Sequence, residues 1–163
     1  YFSMCNRLVS RNVFERNVIL PFEGVNMWDD VGLCTRVRFY TRGTAVINKG
    51  FYHYNRQNEQ STTRRPLLER AREQELCISC IEDFFRKEDS HDKYRLFLSY
   101  LRLVAAEDLF YYEPDIWRQK FEGLKDDLWK LRKLYTTKQL FKFYMLGCGG
   151  IIGKLVWKRF WKR

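Results

Sequence analysis

A chain of 163 residues buries one modest core with appendages rather than two independent folds. Aromatic residues make up 17% of it although the mean hydropathy is −0.50, a combination that places rings at interfaces with partners or membrane headgroups. The net charge of +10 is terminal: residues 59–137 hold fifteen Lys/Arg against sixteen Asp/Glu, whereas residues 138–163 hold seven against none. That distribution argues against a nucleic-acid binder with a basic face spread over its body, and no nucleic-acid partner is expected. Five cysteines, Cys5, Cys34, Cys77, Cys80 and Cys148, are an odd number at irregular spacings, which argues against a secreted disulfide framework.

Residues 1–60 read as an extended N-terminal arm that lies on neighbours, punctuated by Gly24, Gly32, Gly43 and Gly50. Within it, Thr35-Arg36-Val37-Arg38-Phe39-Tyr40, a turn at Arg42-Gly43, and Thr44-Ala45-Val46-Ile47 alternate well enough for a small hairpin, although two strands alone are marginal in water. Tyr1 in place of Met, followed by a basic stretch to residue 16, fits a protein imported into an organelle after removal of a targeting segment.

Residues 61–135 read as an amphipathic helical region. A polar linker ends at Pro66, and Leu67 to Arg86 then has helical composition without Gly or Pro. Ser90 is placed to cap a second helix, with Tyr94, Phe97, Leu98, Leu101, Val104 and Ala105 on one face, which Pro114 stops. A third helix, from about Asp115, carries Trp117, Phe121, Leu124, Leu128, Leu131 and Tyr135 at spacings of four and three. That is a coiled-coil seam, and it demands a helix alongside, from this chain or from another subunit.

Residues 136–163 read as a C-terminal membrane helix with a basic tail. Thr136 and Gln139 have the spacing of a capping box. Leu140 to Trp157 is the most apolar stretch, but only Phe143 to Gly153 lacks charge, and eleven residues rise about 16 Å against a hydrocarbon core of about 30 Å. Snorkelling of Lys142 and Lys154 extends the usable length, with Trp157, Lys158 and Arg159 flanking the far side. Gly149 and Gly153 share a helix face with Gly150 beside them, the small-xxx-small device by which membrane helices approach closely.

The run Phe143-Tyr144 followed by Gly149-Gly150-Ile151-Ile152-Gly153-Lys154 resembles the C-terminal membrane helix of mitochondrial ATP synthase subunit g. Thr137-Lys138-Gln139 is similar to the Thr-rich helix start of that family, and Gly150 stands where the family has Glu. The resemblance spans about twenty residues and implies a non-catalytic Fo subunit of the inner membrane, with residues 1–135 on the matrix side. It further implies pairing with a subunit e-like helix through the glycine stripe, contact with inner-membrane lipids including cardiolipin, and support for dimers and membrane curvature. Counting charge alone gives the opposite orientation, since the tail from Lys158 to Arg163 would stay in the matrix.

Catalytic signals are absent from the sequence. Cys77-Ile78-Ser79-Cys80 falls mid-helix, and a zinc site built on it would need His53 and His91. The adjacent carboxylates Glu82-Asp83, Glu107-Asp108 and Asp126-Asp127 point about 100° apart on a helix, so they read as solvated faces. No enzyme and no cofactor are expected. Two other readings remain open: a mitochondrial ribosomal protein binding rRNA through Arg36 to Arg42 and Arg64-Arg65, and an accessory subunit of a respiratory-chain complex.

Overall fold

The computed structural model describes residues 2–53, 66–112, 114–147 and 155, and the fold they form is mainly helical. Its helices are α1 (Arg11–Arg16), α2 (Asp29–Tyr40), α3 (Leu67–Lys87), α4 (His91–Tyr112), α5 (Pro114–Lys130) and α6 (Thr137–Gly147). A 3-10 turn, Arg132–Leu134, separates the last two. Each helix from α2 onward packs on its successor in the chain, so α4 lies between α3 and α5, and α6 closes the row on α5.

The long helices begin and end where local chemistry dictates. At the C-terminus of α3 the Ser90 N–H donates to the Phe85 carbonyl (2.9 Å) and the Asp89 N–H to that of Arg86 (3.2 Å). Asp89 takes φ +48°, completing a Schellman turn with a residue that tolerates the left-handed region. The short connection makes α3 and α4 neighbours. Ser90 does not cap α4 through its side chain; its hydroxyl donates backward to the Phe85 carbonyl (3.4 Å). Pro114 opens α5, where its missing N–H costs nothing.

Two clusters form the core. One joins Val25 and Val31 to Cys77, Ile78, Ile81 and Phe85 of α3 and to Leu98, Leu101 and Ala105 of α4. The other joins Ala71 of α3 and Leu103 of α4 to Phe121, Leu124 and Leu128 of α5, then Leu131 and Phe143 of α6. Tyr100 packs against both. The second helix is therefore buried on two sides, since Ser99 and Leu103 are as inaccessible as Leu98 and Leu101. A single amphipathic face accounts for only half of that.

The N-terminal region is not an extended arm with a hairpin. Among the described residues there is no strand, and Asp29 to Tyr40 is helical. Six alternating residues carry a weak strand signal, and tertiary packing overrides it. Val31, Cys34 and Val37, three apart, turn one face toward α3, while Asp29 and Asp30 at the start and Arg38 at the end suit the helix dipole. Gly32 is required by that packing: a Cβ there would lie 2.8 Å from the Phe22 ring. Residues 42–53 are exposed throughout and free of regular structure.

Most of the expected C-terminal membrane helix lies outside the described residues, and among the described residues no helix is long and apolar enough to cross a membrane. In α6 the Thr136 N–H donates to Gln139 Oε1 (2.9 Å) and the Gln139 N–H to Thr136 Oγ1 (3.2 Å), so the capping box forms. An N-cap residue is not helical, so Thr136 starts a new helix instead of continuing α5, which ends at Lys130, and Tyr135 before the cap is extended. The helix that follows is amphipathic: Phe143 is 2% exposed in the core, whereas Phe141 on the other side is 53% exposed.

Candidate functional site

Of the seam residues, Phe121, Leu124, Leu128 and Leu131 are buried and Tyr135 is half-buried, all against this chain's own α4 and α6. Tyr135 meets Phe143 edge-on at 5.3 Å, and Phe121 meets Tyr144 at 6.2 Å. Trp117 lies in α5 upstream of the same row. The seam is thus occupied internally. Lys142 lies in α6. Gly149, Gly150, Gly153, Lys154, Trp157, Lys158 and Arg159 lie outside the described residues.

The surface that remains near this end of the molecule combines rings and cations. Trp129 is 59% exposed, and Leu134 and Phe141 are similarly open. Lys125, Lys130, Arg132, Lys133 and Lys138 are exposed among them. The Arg132 guanidinium sits 4.7 Å over the Trp129 ring and donates to the Trp129 carbonyl at 2.9 Å, holding that indole outward beside a cation. A shallow cleft of about 460 Å³ runs between Lys125, Trp129, Lys130 and Tyr144, so α5 and α6 share this face. Aromatics alternating with lysine and arginine suit the boundary between water and an anionic bilayer.

Two ion-pair nodes, one between α4 and α5 and one between α3 and α4, are not legible in the sequence. Asp127 is 3% exposed and accepts from Ser99 Oγ (2.7 Å) and Arg95 Nη1 (2.7 Å) of α4, with Lys130 Nζ at 3.4 Å. Burial pushes its carboxyl up, but the hydrogen bonds from Ser99 and Arg95 and the Arg95 charge outweigh it and leave the group below its ordinary range. Glu82 is held in the same manner by Arg86 (2.7 Å), His91 (3.1 Å) and Arg102. Adjacent Asp83 and Asp126 stay exposed. The paired carboxylates thus divide into one structural and one solvated member in each of these pairs.

A folded-state value below the unfolded one contributes stability above the unfolded carboxylate range, and that stability is lost as pH falls through the folded value. Asp127→Asn is therefore expected to cost about 1–3 kcal/mol at neutral pH, and the difference from the wild-type chain should shrink below about pH 4. Urea midpoints of the two proteins at neutral and acid pH measure this; an undiminished difference in acid would mean that the carboxylate charge is not what holds α4 to α5.

The described cysteines, Cys5, Cys34, Cys77 and Cys80, are all free thiols. Cys77 is fully buried, its thiol donates to the Trp28 carbonyl (3.3 Å), and burial first, then nearby Cys80, pushes it up to about 12. Such a thiol is a poor nucleophile at neutral pH. Among the described residues no three His, Cys, Asp or Glu side chains are placed to share a metal ion.

Comparison of the chain with protein-family models, with curated proteins and with solved structures finds no match.

Proposed function

We propose that this chain is a non-catalytic accessory subunit of a mitochondrial inner-membrane complex, of the ATP synthase subunit g kind. The observation that carries the reading is the exposed set Trp129, Leu134 and Phe141 among Lys130, Arg132, Lys133 and Lys138, on the elements that lead into the apolar glycine segment. In this reading the helical body rests on the bilayer surface, and α6 delivers the chain to it. Phe143 and its half-buried neighbour Tyr144 are committed to protein, so the lipid-facing stretch begins after them. From Met145 to Trp157 is thirteen residues, which as a helix would rise about 20 Å, a length a bilayer accommodates by thinning. A short anchor is therefore itself a means of deforming the membrane. The expected partners are a subunit e-like helix at Gly149, Gly150 and Gly153 and anionic inner-membrane lipid, with the bulk of the chain on the matrix side.

The ribosomal reading loses one of the arginines it draws on. Arg36 is buried, stacks on Phe22 at 3.8 Å and donates to the Gly32 carbonyl at 3.1 Å, so it is not offered to phosphate. A respiratory-complex subunit differs from the proposal in partner alone.

Replacing Gly149 or Gly153 with leucine should weaken association with the partner helix and reduce the dimeric complex while ATP hydrolysis by the catalytic head persists. A branched side chain on the stripe forces the backbones apart and forfeits their dispersion and Cα–H···O contacts. Native gels and partner crosslinks report it. Unchanged dimers and crosslinks in both variants would remove the stripe from the interface, and migration with a respiratory complex would reassign the partner.

A further inference from the structure

The strongest unassigned feature lies where the N-terminal region meets the middle helix of the row. A cavity of about 470 Å³ opens between the loop before α2 and the middle of α4. Its aromatic wall comes from Phe2, Trp28 and Tyr100, its carboxylates from Asp29 and Asp30, and Val104 closes one side. No lysine, arginine or histidine contributes to the wall among the described residues, on a chain whose net charge is +10. Neither Asp29 nor Asp30 has an ion-pair partner among the described residues.

The wall is held in place from behind. The Glu73 carboxylate of α3 accepts from the Asn26 N–H (3.1 Å) and the Met27 N–H (2.6 Å). The Trp28 carbonyl accepts from the Cys77 thiol (3.3 Å). Trp28 itself takes φ +70°, a left-handed conformation that a bulky residue adopts only when its surroundings impose it. Phe2 packs on the Phe97 ring at 5.8 Å, and Tyr100 stacks on Tyr135 at 6.0 Å. The Phe2 and Tyr100 rings and the Trp28 backbone are thus held by neighbours before any ligand arrives, which lowers the entropic cost of binding.

We propose that this cavity binds an organic cation of the alkylammonium class, with quaternary ammonium groups preferred. Ring faces are negative and attract a diffuse cation that holds its water weakly, and the Asp29 and Asp30 carboxylates in the wall, without an ion pair among the described residues, supply the remaining charge complementarity. A compact inorganic cation is disfavoured because the aromatic walls cannot replace its hydration shell. The volume falls in the range of small-molecule pockets and exceeds what a trimethylammonium group fills, so the ligand carries further atoms toward the open side. Such a group occurs both on soluble metabolites and on choline lipids, and both present the same chemistry to the site.

The test is a titration of the full chain, in a maltoside detergent without choline, followed by tryptophan fluorescence. Choline and tetramethylammonium should each give a saturable change that Trp28→Phe abolishes, and sodium at the same ionic strength should give none. The uncharged tert-butyl analogue of choline should bind at least about tenfold more weakly. Asp29→Asn with Asp30→Asn should weaken choline binding about fivefold or more, whereas Asp29→Glu should retain it. Thermal melts of these variants identify any that fail to fold, and the wild-type comparison of choline with its uncharged analogue then decides alone. Phosphatidylcholine vesicles set against phosphatidylglycerol vesicles separate the sources. A Trp28-dependent signal from the former assigns a lipid headgroup, and binding of free choline without it assigns a soluble cation. Absence of a saturable change with choline, or equal affinity for the uncharged analogue, would overturn the proposal.

Discussion

Phe143→Ala will cost about 3–5 kcal/mol and release α6 from the helical body. Phe143 is the residue through which the C-terminal helix enters the core, at 2% exposure among Leu103, Phe121, Leu124, Leu128 and Leu131. Its ring also meets Tyr135 edge-on. Among the described residues, the other α6 side chains packed against this cluster are Leu140 and Tyr144, both only half-buried. A truncation to alanine therefore leaves a cavity at the centre of the cluster and an amphipathic helix with too little apolar area to stay docked. Urea unfolding reads the stability, and hydrogen exchange across residues 137–147 reads the docking. A loss under about 1 kcal/mol with unchanged protection would mean that α6 is held by something other than this ring.

Phe85→Ala should be as damaging to the other cluster, again about 3–5 kcal/mol. Phe85 is 1% exposed and stacks on Tyr94 of α4 at 4.3 Å and 10° between planes. Phe39 of α2, Phe84 and Phe97 surround it at 5.4 to 6.3 Å. It is thus the point where three helices meet, and its removal loosens α2 from α3 as well as α3 from α4. Beyond the global loss, protection from exchange should fall in Asp29–Tyr40, which leans on this ring through Phe39. Loss confined to α3 and α4 would place the docking of α2 on Val31 and Val37 instead.

The helices that were legible in the sequence are those whose pattern extends over several turns. Leu67–Lys87 lacks any breaker, and the four-three spacing of Phe121, Leu124 and Leu128 repeats long enough to outweigh local noise. The capping box at Thr136 was legible because two side chains at fixed spacing define it. The helix at Asp29–Tyr40 was not, because its helical face has three residues and the same window alternates over six. Its stability comes from α3, which sequence-local reasoning does not weigh. Likewise, no pattern within a helix distinguishes Asp127 from Asp126 until α4 supplies Arg95 and Ser99 to one of them.

The two candidate sites differ in the same respect. The aromatic and basic residues from Trp129 to Phe141 are close in sequence, and charge mapping already directed attention to that end of the chain. What the sequence did not show was that Phe143 turns inward while Phe141 and Trp129 turn outward. The cavity of Phe2, Trp28 and Tyr100 draws on three separate stretches of chain and leaves no local signature. Its carboxylates, read alone, are an ordinary acidic start to a helix.

Membrane fractionation tests the central claim most directly. Organelle membranes carrying the full chain, or a version ending at Gly147, are extracted with alkaline carbonate. The full chain should remain in the membrane pellet, anchored by the segment beyond Gly147, while the shortened version should be released because aromatic and basic surface contacts alone do not survive that treatment. Quantitative release of the full chain, or its sedimentation with ribosomal subunits, would contradict the account.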